Sequence, residues 1–223
     1  MDIDAQIEEL SKKITPGRFE KMRLVASRRT RCLTLVLEDI FQPHNAAAAL
    51  RNCDAFGLQE VHFIENKFKL RISANVDMGV SKWQDVIRHT CSRARIHRNF
   101  MPKDHNVYPE EIANTKKALS GLKERGFFLA ASVPGAQKKV QDIPVDKPVA
   151  ILIGTERTGL SDAARECADM EFSIDMFGFA QSFNLSVFSA LCLSELSARM
   201  RALPHWRLSA GEQKELLLRW LSL

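Results

Sequence analysis

Short apolar runs alternate with helix-like stretches along most of the chain. Each run has the length and the Leu, Val, Ile and Phe content of a strand buried inside a sheet. The predicted strands are residues 33–37, 61–64, 127–131, 149–153 and 172–174. Strands that alternate with helices in this way predict a parallel sheet with helices on both faces, which places the chain in the α/β class.

Helices are predicted where helix-forming residues are bounded by typical end signals. Two of the predicted helices end just before a glycine, Gly57 and Gly126, and glycine commonly follows the last residue of a helix. The segment from Ser209 to Glu212 has the pattern of a capping box, and apolar residues follow it at helical spacing. The predicted helices cover residues 4–13, 17–29, 46–56, 109–125, a segment that starts at Ser161, 184–200 and a segment after residue 209.

These elements divide the chain into three parts. We expect a basic helical extension over residues 1–31, an α/β domain over 32–200 and a C-terminal helix over 201–223. No apolar run approaches the roughly 20 residues that span a membrane, and the acidic N-terminus lacks the apolar stretch of a signal peptide. The pattern therefore predicts a soluble, cytoplasmic protein with no membrane partner.

Basic side chains are concentrated in three segments. Between Lys12 and Arg31 there are eight basic residues against the single acid Glu20, within a chain whose net charge is +5. A solvated helix face explains any one such cluster, but three of them favour a polyanionic partner, because phosphate contacts supply most non-specific affinity for nucleic acids. The other two clusters are Arg93, Arg95 and Arg98, and Arg199, Arg201 and Arg207.

Residue spacing argues against several familiar kinds of site. The five cysteines are scattered and never form a C-x-x-C pair, so we expect neither a disulfide framework nor a metal site. Gly154 and Gly159 have the spacing of a P-loop, but Leu160 stands where the phosphate-binding lysine belongs. No G-x-G-x-x-G follows a predicted strand, so the usual dinucleotide loop is absent as well.

Three segments that follow predicted strands carry the remaining polar chemistry. Because the carboxyl ends of parallel strands share one edge of a sheet, these segments can converge on one crevice. Together they offer a guanidinium, a carboxylate, a hydroxyl and amides, a set that suits the handling of phosphate and ribose. They are residues 45–57 (NAAAALRNCDAFG), 151–161 (ILIGTERTGLS) and 174–186 (IDMFGFAQSFNLS).

These segments resemble the three signature motifs of the SpoU/TrmH branch of the SPOUT methyltransferases. The resemblance covers about residues 30–200, and the basic lead-in, the Gln42–Asn45 segment and the Ser81–Trp83 segment are similar to the members that methylate the tRNA D-loop guanosine ribose. Phe183 replaces the usual leucine of the third motif without removing a chemical group. The matching motif residues are Asn45 and Arg51, then Gly154, Glu156 and Gly159, then Ser182, Asn184 and Ser186.

The resemblance implies an RNA ribose 2′-O-methyltransferase that uses S-adenosylmethionine, is a homodimer and has a trefoil knot in the C-terminal part of its sheet. It implies tRNA as the partner and Arg51 as the essential catalytic residue, either as a general base or as a phosphate clamp, with Asn45, Glu156, Ser182 and Asn184 shaping the pocket. The implied cofactor-binding positions are Ala131, Gly154, Ile174, Met176 and Phe183. The implied RNA contacts are Arg18, Lys21, Arg28, Arg29, His44, Arg199 and Arg201.

Other functions stay open at the level of sequence. A 2′-O-methyltransferase of another tRNA site or of ribosomal RNA fits the same motifs. A non-catalytic RNA-binding relative is the alternative from a different class, but it would not need all five polar residues of the predicted pocket. A nucleotide-binding regulator is disfavoured because the P-loop lysine is missing.

Overall fold

The computed structural model describes residues 2–70, 78–96 and 106–223. Within these ranges, helices alternate with strands as the sequence pattern predicts. The helices are α1 (Ile3–Ser11), α2 (Pro16–Ala26), α3 (Pro43–Phe56), α4 (Pro109–Glu124), α5 (Asp162–Cys167), α6 (Leu185–Met200) and α7 (Ala210–Leu221). The strands are β1 (Leu33–Glu38), β2 (Glu60–Glu65), β3 (Phe68–Lys69), β4 (Asp85–Thr90), β5 (Arg95–Ile96), β6 (Phe128–Ser132), β7 (Lys138–Lys139), β8 (Val149–Ile153) and β9 (Met170–Ser173).

The described strands form one large parallel sheet and one small one. Seven strands pair in the order β4-β2-β1-β8-β6-β9-β7, and β3 pairs with β5. All of these pairings are parallel. The chain leaves β1 toward β2 on one side and returns to it as β8 on the other. The carboxyl ends of β1 and β8 therefore flank a topological switch point, where α/β sheets commonly form a ligand crevice.

Alternate residues of the central strands face opposite sides of the sheet. Leu35 of β1 and Ile151 of β8 pack into a cluster with α3 and α6. Val36 and Leu152 face the other way, into a cluster with α4 and α5. Helices on both faces therefore bury the sheet, and the α/β class predicted from the sequence is confirmed.

The terminal segments pack on each other. Ile7 of α1, Met22 of α2 and Trp220 of α7 belong to one apolar cluster that is separate from those on the sheet. The basic lead-in and the C-terminal helix thus form one helical layer, although they stand at opposite ends of the sequence.

Two differences from the sequence-based expectation bear on the site. Helix α3 begins at Pro43 rather than at residue 46, because proline is favoured in the first turn of a helix, where no N–H is needed. Asn45 therefore lies inside the first helical turn. Strand β4 was not predicted, because it lies at the edge of the sheet, is only partly buried and has no apolar run. Arg98, from the second predicted basic cluster, lies outside the described residues.

Candidate active site

The three predicted motifs meet through direct hydrogen bonds. Asn45 Nδ2 donates to Glu156 Oε1 at 2.7 Å. Asn184 Nδ2 donates to the same oxygen at 3.3 Å and to Asn45 Oδ1 at 3.1 Å. The backbone N–H of Leu185 also donates to Glu156 Oε1, at 3.4 Å. One carboxylate oxygen thus holds the starts of α3 and α6 together, and we call Asn45, Glu156 and Asn184 the polar triangle.

Helix starts place two members of this triangle. Asn184 is the N-cap of α6, and its Oδ1 accepts hydrogen bonds from the N–H and the hydroxyl of Ser186 at 2.9 and 2.7 Å. Asn45 Nδ2 also donates to Gln42, which caps α3. Capping by asparagine satisfies backbone donors that a helix leaves free. The N-cap side chain of α6 therefore also fixes one corner of the triangle, and Asn45 joins it from the first turn of α3.

The loop that carries Glu156 is closed by a tight backbone approach. Thr155 and Gly159 exchange two backbone hydrogen bonds of 3.1 and 3.0 Å. A Cβ at Gly154 would lie 2.1 Å from the carbonyl oxygen of Gly159, and Gly159 itself has a φ of +70°. Both glycines of the second motif are therefore required by the backbone.

Glu38 anchors this loop from the end of β1. Its carboxylate accepts hydrogen bonds from the N–H and the hydroxyl of Ser161 at 2.8 Å each and from the hydroxyl of Thr115 at 2.9 Å. Glu38 is buried. Sequence reasoning missed it, although a carboxylate at the end of an otherwise apolar strand is a signal that could have drawn attention.

The neighbouring Asp39 organises the turn after β2. Its Oδ1 accepts backbone hydrogen bonds from Asn66 and Lys67, at 2.8 Å each, and its φ of +51° is left-handed. Burial raises the pKa of Asp39 to about 6, against the opposing effect of these N–H donors, and the charge of Glu38 raises it further.

Arg51 lies on α3, exposed to solvent, and makes no hydrogen bond or ion pair within the described ranges. Ser182 is also exposed, beside Asn184 but outside the polar triangle. Asn52, which sequence reasoning missed, donates to the carbonyl of Ser186 at 2.7 Å and to the hydroxyl of Ser189 at 3.0 Å. It stands seven residues after Asn45, which is two helical turns, so the spacing could have identified it.

The predicted cofactor positions follow one edge of the sheet. Ala131 ends the part of β6 that pairs with β8, Gly154 follows β8, and Ile174 follows β9. Since β8, β6 and β9 are adjacent and parallel, their carboxyl ends lie side by side. Met176 and Phe183 are half-buried in the segment between β9 and α6. Backbone groups and apolar side chains along this edge can hold a nucleoside-like group without a side-chain fingerprint.

The predicted RNA contacts divide into exposed and enclosed side chains. Arg199 is partly buried, and its guanidinium donates to the carbonyls of Val140 and Ile143 at 3.4 and 2.8 Å, which gives it a structural role. Arg93 stacks over the ring of Tyr108, 3.5 Å from its centroid. The exposed members are Arg18, Lys21, Arg28, His44 and Arg201.

The expected RNA contact of Arg29 is wrong in this structure. Its side chain is only 1% exposed. The guanidinium pairs with the carboxylate of Asp54 and donates to the carbonyl of Leu58 at 3.1 Å. A buried guanidinium needs such partners, and Asp54 comes from α3, whose packing a local charge pattern does not reveal.

Among the described residues, no helix is long and apolar enough to cross a membrane. Within the same ranges, no three side chains among His, Cys, Asp and Glu are grouped so that they could hold a metal ion.

Comparison with known proteins places this site in a family. The model of the SpoU rRNA Methylase family matches residues 86–194. A curated relative is 34% identical over 201 residues, which are 90% of this chain and 82% of the relative. The chain therefore belongs to the SpoU methylase family.

That relative is the tRNA (guanosine(18)-2′-O)-methyltransferase of Borreliella burgdorferi. Among solved structures, the A. aeolicus TrmH/SpoU tRNA modifying enzyme has a TM-score of 0.73 and 25% identity, with 92% of this chain and 95% of that chain covered. The SpoU methyltransferase AviRb from Streptomyces viridochromogenes, solved in complex with AdoMet, has a TM-score of 0.54 and 21% identity over 78% of this chain and 60% of that chain. The last likeness shows the shared fold.

Proposed function

We propose that this protein transfers a methyl group from S-adenosylmethionine to the ribose 2′-hydroxyl of guanosine 18 of tRNA, the nucleotide in the name of its Borreliella relative. The observation that carries the proposal is the polar triangle, which joins all three motifs at the switch point of the sheet. Arg51 lies exposed on the helix that this triangle starts.

The residues along the carboxyl edge fit S-adenosylmethionine. A Cβ at Gly154 would collide with the backbone of Gly159, so glycine at this position keeps the loop in place at the edge of the sheet. We propose that Ala131, Gly154 and Ile174 bind the cofactor through their backbones, with Met176 and Phe183 as apolar neighbours. When bound, the cofactor supplies the methyl group on its sulfonium.

Arg51 acts on the RNA in this proposal. An arginine keeps its proton throughout the physiological range, because the pKa of a guanidinium exceeds about 12. A free guanidinium is suited to two parallel hydrogen bonds with a phosphate. We therefore propose that Arg51 clamps the phosphate beside the target ribose and so positions the 2′-hydroxyl, while Asn45, Glu156, Ser182 and Asn184 shape the pocket.

The terminal layer would hold the rest of the tRNA. We propose that residues 1–31 and 201–223 bind the RNA and that residues 32–200 contain the residues that bind the cofactor and take part in methyl transfer. Exposed basic side chains can contact phosphates, which position RNA without identifying the nucleotide. They are Arg18, Lys21, Arg28 and Arg201 in these segments and His44 on α3.

We further propose a cytoplasmic homodimer whose C-terminal sheet region carries the trefoil knot implied by the family resemblance. Exposed apolar side chains cluster in sequence at the third motif and on α6, and they support a subunit contact there. Phe177 and Phe179 are 98% and 107% exposed, and Val187 and Leu191 on α6 are 47% and 42% exposed.

The proposed role of Arg51 is tested by Arg51→Ala. The variant should lose about 100-fold or more in kcat with tRNA, as expected for a group that orients and stabilises the reacting centre. Its affinity for S-adenosylmethionine, measured by calorimetry, should stay unchanged. Arg165→Ala, at an exposed arginine on α5 that pairs with Glu171, is the matched control. Near-normal turnover of Arg51→Ala would refute the role.

A further inference from the structure

A cavity of about 480 Å³ lies between α2, the 3-10 turn Val80–Trp83 and α7, and Asp54 of α3, from the first motif segment, also lines it. Its volume falls within the range of small-molecule sites, roughly 300–1,000 Å³. Its lining includes Arg18, Lys21, Arg29, Lys82, Trp83 and Trp220. Neither Arg51 nor any member of the polar triangle is among the residues that line the cavity.

Two buried hydrogen-bond donors on the cavity lining have no partner. Arg29 Nε and Trp220 Nε1 make no hydrogen bond within the described ranges. Both side chains are almost completely enclosed, at 1% and 2% exposed. Both atoms are shielded from solvent, so they lie behind the cavity surface, and a ligand would meet the charged and aromatic side chains around them.

The cavity is also positively charged. Arg18, Lys21 and Lys82 are exposed, and their side chains form no ion pair within the part of the chain that the structure describes. The acid on the lining, Asp54, is paired with Arg29. Three uncompensated cations at one opening favour an anionic ligand.

An aromatic surface lies beside these cations. The half-buried Trp83 meets Trp220 edge to face, with ring centroids 5.7 Å apart. Lys82 Nζ lies 4.9 Å from the centroid of the Trp83 ring. A flat aromatic face next to a cation matches the two parts of a nucleotide, since a base stacks on aromatic rings and a phosphate binds cations.

We propose that this cavity binds one unstacked nucleotide of the RNA substrate, other than the nucleotide that is methylated. The base packs against Trp83, and its phosphate lies among Arg18, Lys21 and Lys82. An inorganic anion would leave the aromatic wall unused, and an apolar ligand would leave the cations unused. The inference rests on the proposed function for the identity of the RNA, but the cavity can be tested separately.

Direct binding is measured with fluorescein-labelled single-stranded pentaadenylate at low salt, by anisotropy. Trp83→Leu and Lys82→Glu should each weaken binding about tenfold, the size expected from loss of one stacked base or one phosphate contact. Trp83→Phe keeps an aromatic face and should bind within about threefold of the unaltered protein. Lys117→Glu, at an exposed lysine on α4, is the control and should leave binding unchanged.

Tryptophan emission localises the binding. Two of the three tryptophans line the cavity, whereas Trp206 is buried in the core beside the sheet. Unlabelled pentaadenylate should quench emission, and adenosine monophosphate should compete better than inorganic phosphate. Unchanged emission at saturation, equal competition by phosphate, equal displacement by pentaglutamate, or full binding by Trp83→Leu and Lys82→Glu would overturn the proposal.

Methyl transfer separates this proposal from the proposed function. If the protein methylates tRNA but Lys82→Glu and Trp83→Leu keep its KM for tRNA, the nucleotide site is refuted and the function stands. If pentaadenylate quenches emission and the variants weaken it, yet no methyl transfer to tRNA occurs, the site stands and the function is refuted.

Discussion

Gly154 shows at the scale of a single residue why the second motif needs glycine. The position faces the carbonyl of Gly159 so closely that any side chain must push the two strands of the loop apart. Glu156 is two residues further on and supports the polar triangle. A displacement of the backbone at Gly154 would therefore move Glu156 and disturb its hydrogen bonds to the first turns of α3 and α6.

Gly154→Ala should weaken S-adenosylmethionine binding by about tenfold or more and lower the free energy of unfolding by about 1–3 kcal/mol, the usual cost of overpacking. Calorimetry and urea unfolding measure the two effects. Gly121→Ala on α4 is the control: a Cβ there meets nothing within 4 Å, so it should keep cofactor affinity and gain up to about 1 kcal/mol from helix propensity. Unchanged cofactor affinity in Gly154→Ala would contradict the proposed backbone site.

Asp39 makes stability depend on pH. Its pKa is raised from 3.8 to about 6 in the folded state, so the folded protein holds a proton that the unfolded chain has lost. Stability should therefore fall as pH rises from about 4 to about 6 and level off above that.

Asp39→Asn should remove this fall. Asparagine keeps an oxygen for the two backbone N–H groups and tolerates a left-handed φ. The free energy of unfolding of the variant, relative to the unaltered protein, should rise by about 2 kcal/mol between pH 4 and pH 7. Urea titrations at several pH values check it, and parallel pH curves for the two proteins would count against it.

Among the helices and strands, residues that mark the ends of helices predicted boundaries better than the periodicity of apolar residues alone. The stop of α3 was predicted by Gly57, which has a φ of +84°. The start was missed because Pro43 reads as a turn residue in sequence, although it is also suited to the first turn of a helix. The edge strand β4 was missed because its partly exposed residues lack an apolar run, whereas the buried β1 and β8 were predicted within one residue.

Arg31 joins three elements that are distant in sequence. Its guanidinium donates to Glu60 of β2, to Asp85 of β4 and to Glu212 of α7, at 2.9, 3.0 and 3.2 Å. Burial lowers the pKa of Arg31, but the hydrogen bond to Asp85 and the negative charges of Asp85, Glu60 and Glu212 outweigh it and raise the pKa. Glu60 is 7% exposed and also pairs with Arg125, so removing Arg31 would leave this buried carboxylate with one arginine partner fewer.

Arg31→Met should therefore lower the free energy of unfolding by about 1–3 kcal/mol, less than for a fully buried pair because Arg31 and Glu212 retain solvent contact. Lys12→Met removes an ion pair whose side chains are 70% and 74% exposed and should cost less than about 0.5 kcal/mol. Urea unfolding compares the two variants. Equal losses would show that the network does not hold the terminal layer to the sheet.

At the scale of the whole molecule, the sequence predicted the α/β class, most strands and the meeting of the three motifs. It did not predict that the two ends of the chain form one layer, because packing between distant helices leaves no local pattern. The wrong assignment of Arg29 has the same origin: its charge was read in a basic run, but its burial depends on Asp54 of α3. Glu38 and Asn52 were missed because their partners are also distant in sequence.

The proposed function requires these distant parts to act together in methylating one ribose of tRNA. Incubation of an unmodified tRNA transcript with methyl-labelled S-adenosylmethionine, followed by mapping of the labelled nucleotide, tests it directly. We expect label on the ribose 2′-oxygen of guanosine 18, the position in the relative's name. Label on a base, or no transfer by protein that binds the cofactor, would refute the proposed function.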